Sequence, residues 1–341
     1  MSSSINEDIS RAVSIIKPDK VFYLFEDNTD LFCRPLLNLK GGNVIDGILV
    51  ISPGEENKSL AQVKKVWDFF EETGATRSSL LLTVGGGMLT DLGGFAACTF
   101  KRGISFVNVP TTLLSMVDAS VGGKTGINYR GLKNEIGVIR QPDEVLIHVP
   151  FLRTLDRENF ISGFAEMFKA GLIMDSSLWY DLKEYNHDDP DLELLSGLIW
   201  RSVRIKNTIV ELDPVERNER RSLNLGHTMA HAFESLSLLR GRPIHHGYAV
   251  AYGIVVETYL SEQLTGLSKI AADEIRETLL AIYGRPPFSR SDIPDLLGFM
   301  MSDKKNDNIY INFTLLSEIG RYSINNYVER EKVEYVLNSV F

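Results

Sequence analysis

An α/β half with a mostly parallel sheet over residues 1–150, followed by a helix-rich half over 151–341, is the fold class predicted for this chain. Three observations carry the prediction. Short β-rich runs alternate with helical patterns as far as Pro150, and this alternation is the signature of parallel strands joined by crossover helices. Beyond Pro150 strand patterns become scarce and long helical periodicities take over. The length of 341 residues also accommodates two domains at roughly 150 residues each.

In the first half, residues 20–26 (KVFYLFE), 47–52 (GILVIS), 80–84 (LLLTV) and 104–109 (ISFVNV) are rich in Val, Ile and Phe and read as buried strands. Residues 144–149 (EVLIHV) read as the last strand of this half. Between the second and third strands, Leu60, Val63, Trp67 and Phe70 recur at helical spacing and define one apolar helix face. In the second half, residues 157–174, 192–211, 226–239, 249–266 and 270–283 read as helices, and only 310–316 has strand character. A functional site is expected beyond the carboxyl ends of the strands, in the cleft between the halves.

Hydrophobic residues make up 44% and charged residues 24% of the chain, as in ordinary water-soluble proteins. A formal charge of −9 argues against a nucleic-acid partner, which needs a basic face to displace counterions. It leaves room for a small anionic substrate held by a local cluster of Lys and Arg. Cys33 and Cys98 show no metal or disulfide spacing, and the first ten residues (MSSSINEDIS) lack the features of a secretion signal. No apolar run approaches the ~20 residues of a membrane span. A cytoplasmic location without membrane partners is expected.

Three motifs stand out. Gly85-Gly86-Gly87-Met88-Leu89-Thr90-Asp91 follows a strand and opens a helix, so backbone N–H groups and a helix N-terminus could cradle a phosphate. It is not GxGxxG, and a tight turn with a helix cap is the alternative. Gly122-Gly123-Lys124-Thr125 looks like the end of a P-loop, but position 118 is Asp118 where a glycine is required, which rules out that site. Lys124, Lys133 and Asn134, with Arg102 upstream, offer donors suited to a phosphate or carboxylate. Four of the six histidines fall close together: His227 and His231 one helical turn apart, and His245 and His246 in a following turn. Two histidines and a carboxylate are a common zinc set. Spacing favours His227 and His231 as the pair and does not name the carboxylate. His148 and His187 stand alone and read as structural.

The ordered series GGGMLTDL (85–92), Arg102-Gly103, VPTTLL (109–114), VDASVGGKTG (117–126), KNEIG (133–137), GFAEMFK (163–169), NLGHTMAH (224–231) and His246-Gly247 closely resembles the 3-dehydroquinate synthase family over nearly the whole chain. The resemblance implies a Rossmann-like NAD-binding domain over 1–150, an all-α metal- and substrate-binding domain over 151–341, and a homodimer. It implies Glu166, His227 and His246 as ligands of zinc, with cobalt also accepted, which moves His231 to the substrate side. NAD contacts are implied for Pro53, Gly54, Glu55, Glu56, Asn57 and Lys58, for Gly87, Met88, Leu89, Thr90 and Asp91, and for Thr111 and Thr112. Asp118, Lys124 and Lys133 match positions near cofactor and substrate. Arg102, Asn134, Lys169, Lys206, Arg220, Asn224 and one of Lys304 and Lys305 match polar substrate-pocket positions. The implied reaction turns 3-deoxy-D-arabino-heptulosonate 7-phosphate into 3-dehydroquinate and phosphate. It proceeds by transient NAD oxidation, phosphate elimination, re-reduction and intramolecular aldol closure, within the shikimate pathway to aromatic amino acids. Other sugar-phosphate cyclases, making an inosose or a valiolone, are the alternative, followed by a metal-dependent polyol dehydrogenase and a non-catalytic ligand sensor. Tyr248 stands where many members have Glu, and Ala230 replaces a glycine of the family's GHTxGH pattern.

Overall fold

The computed structural model describes residues 4–39, 45–130, 132–301 and 309–341. The chain divides into two compact units, Met1–Asp156 and Arg157–Phe341.

The first unit contains helices α1 (Ile5–Ile16), α2 (Asp27–Phe32), α3 (Leu60–Glu72) and α4 (Gly87–Thr99). Its strands are β1 (Val21–Glu26), β2 (Gly47–Ile51), β3 (Leu80–Gly85), β4 (Ser105–Pro110), β5 (Lys124–Tyr129), β6 (Leu132–Ile139) and β7 (Glu144–Val145). Five strands form a parallel sheet in the order β2-β1-β3-β4-β7. The order reverses between β1 and β3, and the carboxyl ends of strands at such a switch point are where ligands bind in this architecture. β1 and β3 are buried along their whole lengths, as expected of parallel strands covered on both faces. Phe22, Val63, Phe70, Leu92 and Phe106 belong to one apolar core. The expected face of α3 is only partly used: Val63 and Phe70 are buried, but Leu60, at the exposed start of the helix, is half exposed. The last strand is also shorter than expected: only Glu144–Val145 pair with β4, and a 3-10 helix with Pro150 in its first turn begins at Val149.

Two pieces were not legible as strands. β5 and β6 pair as a separate antiparallel hairpin holding the GGKTG and KNEIG segments. Lys124 thus begins a strand rather than the helix a P-loop would require.

The second unit comprises α5 (Arg157–Met174), α6 (Ser176–Glu184), α7 (Leu192–Leu212), α8 (His227–Leu239), α9 (His246–Leu264), α10 (Lys269–Tyr283), α11 (Ile293–Met301) and α12 (Arg330–Val340). It is not purely helical: β8 (Tyr310–Glu318) and β9 (Arg321–Glu329) form an antiparallel hairpin with register irregularities, and β8 is buried at Ile311 and from Phe313 to Leu316. Phe164, Phe168 and Trp179 fill the core, and His187 packs edge-on against Phe164 and Tyr185. Close backbone approach sets the helix that begins at His246. A Cβ on Gly247 would lie 1.8 Å from the Ser162 carbonyl oxygen, so only glycine permits α9 to start this near α5. Among the described residues, no helix is long and apolar enough to cross a membrane.

Candidate active site

In the second unit, α5, α8 and α9 each supply one donor to a cluster in which Glu166 is buried and the two imidazoles are partly exposed. One ligand-type atom from each of Glu166, His227 and His246 lies within 4.8 Å of the others. His227 is the first residue of α8, and His246 the first residue of α9 rather than part of the preceding turn, where His245 is the N-cap. Nε2 of His227 and Nε2 of His246 each stand 3.5 Å from Oε1 of Glu166. That oxygen is buried and has no hydrogen-bond partner. Donors around a tetrahedral zinc at 2.0–2.1 Å are about 3.4 Å apart, so the observed separations suit a shared divalent ion better than a direct hydrogen bond.

The surroundings prepare each donor. The second Glu166 oxygen is paired with the buried Lys169 ammonium, one turn along α5. Nδ1 of His227 lies 3.1 Å from the Leu225 carbonyl, which orients the ring and leaves Nε2 free to accept. Nδ1 of His246 lies 3.5 Å from Oε1 of Glu234, a mostly buried carboxylate on α8. Burial by itself would raise the Glu166 carboxyl, but Lys169 and then the imidazoles hold it well below the usual carboxylate range. Burial, reinforced by the Lys169 charge, pushes His227 down to about 3. Burial also opposes charge on His246, yet Glu234 and Glu166 raise it to about 10. In the metal-free protein, therefore, one imidazole is neutral and the other holds a proton that a metal would have to displace.

His231, expected from spacing to partner His227, is exposed one turn further on and lies outside the three-donor group, with ring centroids 5.9 Å apart. Lys206 on α7 and Arg220 in the 3-10 helix Glu219–Asn224 are mostly buried, and Arg220 Nη1 donates to the Pro214 carbonyl at 2.9 Å. Asn224 Nδ2 donates to Glu216 at 3.1 Å. Lys304 and Lys305 lie outside the described residues. Glu234 was missed in the sequence. The signal was present, since it follows His227 at heptad spacing on one helix face.

In the first unit, the expected cofactor segments follow successive strands: Pro53–Lys58 after β2, Gly85–Asp91 at the β3–α4 turn, and Thr111 and Thr112 after β4. The N-cap of α4 is Gly86, with no side-chain cap, so its first-turn N–H groups are available to an anion. Lys58 Nζ donates to Asp91 Oδ2 at 2.6 Å and to the Asn134 side-chain oxygen, tying the loop after β2 to α4 and to β6. Asn134 is thus hydrogen-bonded to a lysine of the expected cofactor loop. Burial raises the Asp91 carboxyl above its ordinary value; Lys58 opposes the rise, and Glu55 and Asp118 add to it. Asp118 lies in the single π-type turn Ser115–Ala119. Lys124 and Lys133 are exposed on the hairpin. Arg102 is exposed at the end of two consecutive left-handed residues, Lys101 (φ +46°) and Arg102 (φ +66°).

A parallel α/β unit with an uncapped glycine turn, followed by a mainly helical unit gathering one carboxylate and two imidazoles, defines a class: proteins equipped for an anionic nucleotide at strand ends and a divalent cation among helices. The 3-dehydroquinate synthase N-terminal family matches residues 48–162, and its C-terminal counterpart matches residues 163–306. The chain belongs to the 3-dehydroquinate synthase family. It is 44% identical over 329 residues to the 3-dehydroquinate synthase of Parabacteroides distasonis, covering 96% of this chain and 93% of that one. It is 37% identical to that of Clostridium botulinum, covering 93% and 91%. Among solved structures, a 2-epi-5-epi-valiolone synthase from Streptomyces hygroscopicus with NAD+ and Zn2+ bound superposes with a TM-score of 0.84 at 25% identity, covering 95% of this chain and 91% of that one. A 2-deoxy-scyllo-inosose synthase complexed with carbaglucose-6-phosphate, NAD+ and Co2+ gives 0.85 at 20% identity, covering 98% and 94%.

Proposed function

We propose that this chain converts 3-deoxy-D-arabino-heptulosonate 7-phosphate to 3-dehydroquinate and inorganic phosphate, with NAD and one zinc or cobalt ion as cofactors. The observation that carries the reading is the Glu166–His227–His246 group, with the buried, unpartnered Oε1 of Glu166, in a chain that matches this family of lyases almost end to end. A divalent ion held by Glu166, His227 and His246 would make a substrate hydroxyl more acidic, and NAD held by the loops at the strand ends would supply reversible hydride acceptance.

The chain's own residues do the rest. Glu166, His227 and His246 hold the ion. Lys169 balances the Glu166 charge before the ion arrives and lies close enough to the donors to hydrogen-bond a substrate oxygen afterwards. His231 is the imidazole available to hold or move a proton on a substrate hydroxyl. Pro53 to Lys58, Gly87 to Asp91, Thr111, Thr112, Asp118, Lys124 and Lys133 hold NAD, with the first turn of α4 taking the pyrophosphate. Lys206, Arg220, Asn224 and one of Lys304 and Lys305 bind the carboxylate and hydroxyls, and Lys124, Asn134 and Arg102 bind the phosphate. Each buried charge-assisted contact contributes about 1.5–3 kcal/mol, or roughly 10- to 150-fold in affinity.

The test is incubation with the heptulosonate phosphate while phosphate release and carbocycle formation are followed, with trace NAD supporting many turnovers. One product per NAD, or steadily accumulating NADH, would sink the reading in favour of a dehydrogenase. Preference for sugar phosphates lacking the carboxylate would move the chain to the inosose or valiolone branch, which the fold similarity also accommodates. The buried Lys206 and Arg220 favour the carboxylated substrate.

A homodimer belongs to the same proposal, with Arg102 reaching the partner's site from its strained, exposed turn. Mixed dimers of inactive Arg102→Ala and inactive His227→Ala chains should then regain partial activity, because one of their two sites has both residues intact. No recovery in verified heterodimers would confine Arg102 to its own subunit.

A further inference from the structure

Glu257 lies further along α9, the helix that begins with His246. It is 0% exposed and takes no part in the groups described above. Its Oε2 accepts the Gly226 N–H at 2.6 Å, and the Met229 amide also faces the carboxyl. Gly226 is the N-cap of α8, with φ +81° and no side chain to cap the helix. The helix that carries His227 therefore takes its N-terminal acceptor from its neighbour, where a carboxyl opposes the positive end of the helix. The two backbones are pressed together here: a Cβ on Gly253 would lie 2.0 Å from the Gly226 carbonyl oxygen, and one on Gly226 would lie 2.7 Å from that of Val250.

The Gly226 N–H belongs to the same peptide unit as the Leu225 carbonyl, and that carbonyl is the partner of His227 Nδ1 at 3.1 Å. In a planar trans peptide the N–H and C=O point in opposite directions. Glu257 thus grips one edge of the plane while the His227 ring is held at the other. A buried peptide gripped in this way cannot rotate without abandoning both partners. With the Nδ1 proton committed to Leu225, the bare Nε2 is the nitrogen nearest Glu166.

We propose that Glu257 is a positioning residue for His227: by fixing the Leu225–Gly226 peptide it selects the tautomer with bare Nε2 and aims the ring into the three-donor cluster. This rests on the metal-site reading above. The second Glu257 oxygen has no partner, and burial pushes the carboxyl well above the usual carboxylate range, so the side-chain amide of glutamine is its nearest replacement.

The experiment strips metal from the full-length protein and titrates it with Co2+, following the cobalt absorption bands, while 15N NMR reports the His227 tautomer. Glu257→Gln should bind within about threefold of the unsubstituted chain with the same spectrum. Glu257→Met, which fills the space but accepts no hydrogen bond, should bind about 10- to 100-fold more weakly, with a changed spectrum and a mixed tautomer, the size expected for losing a partner that orients a ligand. A purely structural role would lower thermal stability and leave the cobalt spectrum and tautomer alone, and that result overturns the proposal. Should Glu257→Met fail to fold, amide exchange in the metal-free, unsubstituted protein decides: the Gly226 N–H is expected to be protected, and rapid exchange there refutes the proposal. Absence of Co2+ binding by the unsubstituted chain would instead remove the metal site itself, and this inference with it.

Discussion

Among the described residues, each unit pairs a buried lysine with a carboxylate, Lys169 with Glu166 and Lys58 with Asp91, and the two pairs behave in opposite ways. In the second unit Lys169 and Glu166 have side chains only 3% exposed, and Glu166 is held well below the usual carboxylate range. In the first unit Lys58 and Asp91 are 4% and 18% exposed, yet Asp91 is raised. Burial pushes both carboxyls up. What differs is the company: Glu166 has Lys169 and two imidazoles, whereas Asp91 has Lys58 but also Glu55 and Asp118. The first arrangement keeps an anion ready among donors that can share a cation. The second uses a carboxylate to anchor a lysine, joining loops below a helix N-terminus that offers backbone donors to an anion.

The strongest way to break this contrast is to remove a donor. His227→Ala should lose most bound metal and essentially all turnover, whereas His231→Ala should keep its metal while losing activity. Metal analysis of dialysed protein beside a phosphate-release assay checks both. A metal-free His231→Ala with a fully loaded His246→Ala would mean that the helical pair suggested by spacing is the true one.

Next in size is Lys169→Met. Deleting one member of a buried pair costs about 3–5 kcal/mol because the other charge is left stranded. The loss should be large in the metal-free protein and much smaller with saturating zinc, which can compensate Glu166 in place of the ammonium. Denaturant unfolding with and without zinc measures it, and an equal loss in both states would mean that the carboxylate is not shared with the ion.

Metal affinity should also depend on pH with a definite sign. His246 is raised to about 10, so near neutrality the metal must displace its proton. Apparent affinity should rise about tenfold per pH unit between 6 and 8, with roughly one proton released, as calorimetry in buffers of different ionisation enthalpy would show. Affinity independent of pH in that range would contradict the charged state assigned to His246.

Lys58→Met should have the smallest effect, about 1–2 kcal/mol at pH 7. Asp91 is already raised, so the folded protein binds that proton more tightly than the unfolded chain, and its contribution worsens as pH rises above the ordinary carboxylate value. Removing Lys58 extends this trend. The deficit relative to the unsubstituted protein should therefore grow from pH 4 to pH 7, and a deficit that stays flat over that range would show that Asp91 does not depend on Lys58 for its charge.

Local periodicity made much of the fold legible. The helix over 157–174 has the bounds expected, and the four parallel strands β1 to β4 agree within a residue or so, because side-chain composition and spacing along one segment record its local structure. The β5–β6 hairpin escaped because its outer strand, LKNEIGVI, is exposed almost throughout and so lacks any alternation of burial. The glycine turn and the histidine cluster were legible as candidate sites, since the glycines follow a strand and open a helix and four of the six histidines fall within twenty residues.

By itself, then, the sequence determined the alternating α/β first half, the helical second half, the class of chemistry open to it and, through ordered motifs, its family. Residue spacing could not say which donors meet; the family resemblance named them, and the tertiary structure brings them together. Spacing offered His227 and His231, but a helix turn carries the second imidazole along the axis and outward, whereas packing α9 against α5 at Gly247 brings His246 and Glu166 to the same point. Of the supports, Glu234 behind His246 left only its heptad spacing from His227 as a signal, and Glu257 beneath the Leu225–Gly226 peptide left none. A hydrogen bond from one helix to another depends on how close the backbones approach, and no local pattern along either segment encodes that distance.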